Sequence, residues 1–347
     1  MAEKLLEDAL EHGIFSCGVL ATVLYSGETC IVGGGIPPTC PAAAERVLFD
    51  LASLTKAVAT TSLAMLLVDE GLLDIDAPVS EYLPDFLDCD HDHAKWRGMV
   101  TSRMLLAHCG GFSAGHPFWK SGVDGHEEKL RLVRQSPLAN EPGTVATYSD
   151  IGMMVVGQLI ERLTGQGLDR LSAEKVFAPL GMSSTCFNPS DASVCIPTEE
   201  IADAPGRFWQ GVVHDENARW LGGVSGHAGL FSCAGDLAKF CKMLLNGGNS
   251  LFSPSVFDMF TRKARLVDGS SRCLGWDGYS EGCAGGARAS EHSFGHTGFT
   301  GTSLWADRDN GIAVVLLTNA VHPHRECKSN GYFRRRNEIH TACYDMI

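Results

Sequence analysis

The sequence predicts an α/β part joined to an all-α part. One antiparallel sheet is built from both chain ends and flanked by helices, and a large helical insert lies between them. Three observations lead there. Strand-like runs joined by tight turns occur near the two termini. The middle of the chain, to about residue 265, reads as helices linked by polar loops. The 347 residues are 44% apolar and 20% charged, enough for a substantial core.

The elements follow in order. Leu5, Leu6, Ala9, Leu10 and Ile14 share one helical face, which predicts a short amphipathic helix over 4–14. An apolar run over 18–25, a Ser26-Gly27 turn and a second run over 29–32 predict a hairpin. A Gly/Pro-rich loop extends to Pro41. A helix over 53–70, rich in Ala, Leu and Met, stops at Gly71, and its Leu63, Met65, Leu66 and Leu67 read as core. Further helices are expected over 151–163, closed by Gly165, and over 237–245, closed by Gly247-Gly248. Runs over 302–306 and 312–317 read as strands, with Asp309-Asn310-Gly311 as their hairpin turn. A segment over 337–346 has helical character. The expected division is therefore residues 1–48 with 270–347 as the α/β domain and 49–269 as the helical domain, with the active site in the cleft between them.

Composition narrows the function. Lys plus Arg is 28 and Asp plus Glu is 41, a formal charge of −13. Nucleic-acid binding, built on cations against phosphate, is not expected. The one basic cluster is Arg334-Arg335-Arg336. No apolar run spans a bilayer, and the first residues lack the pattern of a secretory signal, so neither a membrane partner nor export is expected. The 13 cysteines are scattered, with no CxxC pair. They read as reduced thiols packed as small apolar residues in a cytoplasmic protein. No cofactor is called for and no metal is expected. His91-Asp92-His93 has metal-like spacing in a polar loop, and a metallohydrolase using it would be chelator-sensitive.

Three short stretches carry chemistry. In Ser53-Leu54-Thr55-Lys56 the hydroxyl and amine lie three residues apart, on one face of a helix start. A serine needs a neighbouring base, and a lysine serves if its pKa is lowered. By itself SxxK is weak, because Ser172-Ala173-Glu174-Lys175 fits as well and an N-cap serine explains either. Tyr148-Ser149-Asp150 puts a phenol and a carboxylate where a loop enters the 151–163 helix. Capping and packing explain it when it is taken alone. His296-Thr297-Gly298 opens the C-terminal strand region, where glycine permits close approach of a substrate to a strand edge.

Taken together, in this order and 95 and 148 residues apart, the three stretches resemble the serine β-lactamase and penicillin-binding-protein superfamily. The resemblance is to the branch with a Tyr second motif: class C β-lactamases, D-alanyl-D-alanine carboxypeptidases, D-aminopeptidases and related esterases. Phe49-Asp50-Leu51-Ala52, Leu105–Phe112, Gly226–Ser232 and Leu316-Leu317-Thr318-Asn319 look like the same branch. It covers roughly residues 15–347, and Ser172, with no Tyr motif after it, drops out.

The resemblance implies a serine hydrolase acting through an acyl-enzyme on a small ester or amide. Ser53 would be the nucleophile, Lys56 its activator and Tyr148 a proton shuttle. The backbone N–H groups of Ser53 and Phe299 would form the oxyanion hole. Asp150, His296, Thr297 and Gly298 would bind substrate. Two positions depart from the commonest pattern. His296 replaces a Lys that helps hold the carboxylate of β-lactams. Asp150 replaces an Asn, and its carboxylate could pair with Lys56 and keep it protonated, favouring Tyr148 as the working base. His214-Asp215-Glu216-Asn217 could line the cleft, His116, Phe118 and Trp119 could wall it, and His227 reads as structural. A binding or scaffold protein on the same fold is the alternative, although it would have no need of Ser53, Lys56 and Tyr148 together.

Overall fold

The computed structural model describes residues 1–89, 94–248 and 251–347. His91 and His93 lie outside the described residues.

The apolar runs at the two chain ends become neighbouring strands. Strand β1 (Gly18–Leu24) turns back through Ser26-Gly27 into β2 (Thr29–Gly34), with Gly27 at φ +94°. Three short strands follow, β3 (Phe49–Asp50), β4 (Cys186–Phe187) and β5 (Leu230–Ser232), and then β6 (Asp277–Gly278), β7 (Phe294–Thr297), β8 (Ser303–Asp307) and β9 (Ile312–Thr318). The main sheet has the order β2-β1-β9-β8-β7-β6, antiparallel throughout. β1 pairs with β9, Leu20 opposite Leu316, so the two chain ends are joined at the sheet centre.

Both faces of that sheet are covered. Helices α1 (Ala2–Glu11) and, at the other terminus, Asn330–Cys343 lie on one face, where Leu6, Ala9, Tyr332 and Ile339 pack on Leu20, Ile312, Val314 and Leu316. The helix Ala234–Leu245 covers the other face, and its Leu237 and Phe240 share a core with Val19, Ala21, Val23, Val315 and Leu317. Alternate side chains enter different cores, which is why β1 and β9 are apolar at nearly every position, Thr22 and Thr318 excepted. Truncating one of them, Leu316 for example, to Ala would cost about 2–5 kcal/mol.

The structure differs from the sequence expectation in three places. β3, β5 and β4 form a second sheet inside the region read as helical. Strands of two or three residues carry no measurable periodicity. The helix expected over 53–70 opens as a π-helix, Lys56–Thr61, before continuing as α2 (Ser62–Asp69). All six π-helical residues are buried, so tertiary packing sets this geometry. The C-terminal helix starts at Asn330, well before residue 337. The polar run Arg334–Asn337 hides the periodicity of its first half. No helix among the described residues is long and apolar enough to cross a membrane.

Candidate active site

The nucleophile candidate stands at a strained corner. Asp50 ends β3 with a buried carboxylate that accepts from Ala52 N at 2.8 Å and His214 N at 2.6 Å. Ala52 then takes φ +45°, a left-handed conformation that is uncommon for a residue with a Cβ. The corner leaves Ser53 half-exposed between the fully buried Leu51 and Leu54.

One turn on, Lys56 is entirely buried. Its Nζ donates to Ser53 Oγ at 2.8 Å and to His227 O at 2.9 Å, and forms an ion pair with Asp150 Oδ1 at 2.7 Å. Burial works against the ammonium, but Asp150 and Tyr148 outweigh it, and the Lys56 pKa lies above its ordinary value. Lys56 is therefore a cation at neutral pH.

Tyr148 is held from several sides. Its ring centroid is 5.0 Å from Lys56 Nζ, 5.1 Å from the Arg272 guanidinium carbon, 4.6 Å from the His108 ring and 5.9 Å from the His296 ring. Ser149 fixes the backbone. Its N–H donates to His108 Nδ1 at 3.1 Å, its hydroxyl donates to Ser113 O at 2.7 Å, and the same oxygen caps the helix Asp150–Thr164 by accepting from Gly152 N. Burial, with Arg272, Lys56 and His296 nearby, holds the His108 pKa well below the ordinary value, so His108 remains a neutral acceptor.

The third stretch arrives on β7. His296 is 2% exposed. Its Nδ1 lies 2.8 Å from the Thr297 carbonyl, which can only accept, so Nδ1 carries the proton. Nε2 has no partner among the described residues. Burial, reinforced by Lys56 and Arg272, lowers the His296 pKa to about 3. Gly298 leaves no room for a side chain, since a Cβ would overlap the Thr302 hydroxyl and the Leu51 carbonyl. Thr300 Oγ1 donates to Asp50 O at 2.7 Å and Thr302 Oγ1 to Leu51 O at 3.0 Å, tying the β7–β8 turn to the corner that carries Ser53. No described residue accepts from the Ser53 or Phe299 amide.

The structure thus brings together the residues expected to act as nucleophile, activator, proton shuttle, oxyanion donors and substrate contacts. Ser53, Tyr148, Asp150, His296, Thr297, Gly298 and Phe299 line one cleft of about 460 Å³, with Lys56 beneath them. His214, Asp215 and Glu216 line it too. His227 bridges Ser225 Oγ and Asp215 Oδ1, both at 2.8 Å, and lends its carbonyl to Lys56. Phe118 and Trp119 lie elsewhere. Phe118 is buried against Trp220, and Trp119 walls a neighbouring cavity of about 770 Å³ with Trp209 and Trp220. The Ser172 hydroxyl is buried and bonds to Leu168 O at 2.6 Å, while Lys175 faces Glu70, so they form no second site.

Sequence reasoning missed four cleft or near-cleft groups. Arg272 forms an ion pair with Asp277. Arg325 holds Glu199 at 2.6 Å and Glu216 at 2.7 Å. Lys328 reaches the Phe299 carbonyl. His108 supports the Tyr148 loop. Only His108 had a signal, because it sits in a stretch that matched the superfamily.

A family model described as Beta-lactamase matches residues 9–336. The chain belongs to the beta-lactamase family. It is 32% identical over 334 residues to an Escherichia coli K12 protein named as a D-alanyl-D-alanine carboxypeptidase, covering 88% of this chain and 76% of that protein. A Salmonella typhimurium protein of the same name is 34% identical over 308 residues, covering 81% and 71%. Among solved structures, EstCE1, a hydrolase with promiscuous acyltransferase activity, superposes with a TM-score of 0.78 at 21% identity, covering 97% of each chain. Unliganded simvastatin synthase from Aspergillus terreus gives 0.76 at 21% identity, covering 99% and 97%. These two show the fold. The family and its carboxypeptidase-named members make this chain a serine hydrolase.

Proposed function

We propose that the protein cleaves a small ester or amide through an acyl-enzyme on Ser53. Ser53 Oγ attacks the carbonyl carbon as its proton passes to the Tyr148 oxygen and the Tyr148 proton passes to the leaving group, whose bond to the carbonyl carbon breaks. Water then attacks the acyl carbon, its proton passing to Tyr148 as the Tyr148 proton passes to Ser53 Oγ, which releases the acid and restores both hydroxyls. The Ser53 and Phe299 amides bind the oxyanion, and losing one such donor typically costs about 100- to 1000-fold in rate. The observation that carries this reading is the 2.8 Å contact of Lys56 Nζ with Ser53 Oγ, made from a buried ammonium that also pairs with Asp150 beside Tyr148.

The third motif supports a substrate whose carboxylate, if it has one, is not held at position 296. His296 is neutral and its one N–H is spent on Thr297 O. The two cleft arginines are each engaged by acidic side chains. The remaining cleft cation, Lys328, donates to Phe299 O, so esters and uncharged amides suit the cleft better than β-lactams. The 13 free cysteines support a reducing, cytoplasmic setting.

Treatment with a fluorophosphonate or a fluorescent penicillin, followed by mass mapping, should place the label on Ser53. Ser53→Ala should abolish p-nitrophenyl ester hydrolysis. A folded protein that takes no label, or turnover that survives the substitution, overturns the assignment and leaves the scaffold reading.

A further inference from the structure

The Phe299 amide lies on the turn between β7 and β8. That turn's own hydrogen bonds run from Gly298 N to Thr302 O and from Gly301 N to Gly298 O, so the Gly298 carbonyl has one donor within the turn and room for a second from outside it. A cation takes that second place. Lys328, just ahead of the Asn330–Cys343 helix, donates from Nζ to Phe299 O at 2.7 Å and to Gly298 O at 3.4 Å. Among the described cleft cations it alone has no carboxylate partner. Arg272, Arg325 and Lys56 each have one. Its surroundings are the aromatic faces of Phe299, Tyr332 and Phe333, at 4.9, 5.5 and 5.4 Å. A half-buried ammonium without a counter-ion is costly, and the two carbonyls and three rings offset the cost.

The covalent geometry gives that arrangement a consequence. Gly298 C=O and Phe299 N–H belong to one planar trans peptide, so they point in opposite directions. The 3.4 Å contact of Lys328 with Gly298 O draws electron density from this amide and favours an N–H directed away from the cation, while the 2.7 Å bond to Phe299 O anchors the next peptide of the turn. Gly298 itself abuts the Leu51 carbonyl, two residues before Ser53.

We propose that Lys328 is a positioning residue of the oxyanion hole, holding and polarising the Gly298–Phe299 peptide so that the Phe299 N–H meets the developing oxyanion. The proposal rests on the acyl-enzyme reading given above. Burial, with Arg336 nearby, lowers the Lys328 pKa to about 8, so the ammonium is lost above that pH. The charged or titratable groups around it are Arg336 and Tyr332 of the C-terminal helix and Arg325 of the preceding turn.

Three proteins, wild type, Lys328→Met and Lys328→Arg, test it with an ester substrate and an arylboronic acid, whose tetrahedral adduct places an oxygen in the oxyanion hole. In wild type, fluorophosphonate must first label Ser53. If it does not, the acyl-enzyme reading fails, whatever Lys328 does. With labelling intact, Lys328→Met should lower kcat about 10- to 100-fold, leave KM within about threefold, and weaken the boronate in parallel with kcat. Wild type should show an alkaline limb near pH 8, and Lys328→Arg, charged at every working pH, should keep activity and lose that limb. A Met variant with unchanged kcat and boronate affinity, or one that raises KM alone, overturns the proposal. If the Met variant does not fold, the Arg variant decides, and an alkaline limb still near pH 8 overturns it.

Discussion

Asp150→Asn removes one charge from the centre of the site while keeping its volume. Lys56 Nζ lies 2.7 Å from Asp150 Oδ1, with Lys56 fully buried and the aspartate side chain 31% exposed. At that separation the attraction is about 6 kcal/mol at an effective dielectric of 20 and about 1.5 kcal/mol in water. Removing one partner of a buried pair typically costs about 3–5 kcal/mol, because the other charge stays behind. Partial exposure of Asp150 places the expected loss near the lower end, about 3 kcal/mol at pH 6. The pH dependence is the sharper test. In wild type the Lys56 pKa is raised, so the pair's contribution is full below the unfolded value of 10.5 and is lost only as pH rises beyond it. In the variant the largest opposing influence, burial, loses its main counterweight, and the folded pKa falls below 10.5. The unfolded chain then binds more protons, so the variant's stability rises with pH and its deficit narrows between pH 6 and 9. Urea denaturation of both proteins at pH 6, 7.5 and 9 measures this. A deficit under about 1 kcal/mol, or one that stays constant across the range, refutes the claim that a buried ammonium organises the site.

Other outcomes follow from the same geometry. His108, His296 and His340 are buried with lowered pKa values, the last two to about 3, so the unfolded chain takes up three protons that the native one refuses. Stability should fall as pH drops below about 6.5, by up to about 4 kcal/mol per pH unit where all three contribute, and denaturation at pH 7, 5.5 and 4.5 would show it. Gly298→Ala should reduce ester hydrolysis at least about tenfold in a folded protein, since its Cβ would press the β7–β8 turn away from Leu51. Ala52→Gly should stay within about 1 kcal/mol of wild type because it relieves a left-handed φ, whereas the β-branched Ala52→Val should lose at least about 2 kcal/mol by the same measurement.

Much of this was legible in the chain. Strands buried on both faces are largely apolar, so β1, β8 and β9 stand out, and one turn sequence marks the β8–β9 hairpin. The site was legible because Ser53 and Lys56 lie within one helical turn, and because Tyr148 and His296 occur in short, ordered stretches. What escaped were contacts between residues far apart in sequence and without local pattern. Glu199 and Arg325 are 126 positions apart, and Lys328 meets Phe299 across 29. The corner at Ala52 and the π-helical turn after it were hidden for a different reason, since alanine is an ordinary residue and only the surrounding packing forces it into that conformation.

The state of Lys56 bears on how the proton leaves Ser53. An ammonium donating to Ser53 Oγ has no lone pair with which to accept. By occupying one side of Oγ it also directs the hydroxyl hydrogen elsewhere. The side not taken by Lys56 opens on the cleft, where Tyr148 stands between Lys56 and Arg272. Both cations stabilise the negative charge that forms on the phenolic oxygen as its own proton passes on and the Ser53 proton arrives, and the neutral His296 does not compete for the proton at working pH. In the proposed mechanism Asp150 sets the division of labour: it keeps Lys56 charged, and a charged Lys56 leaves proton transfer to Tyr148.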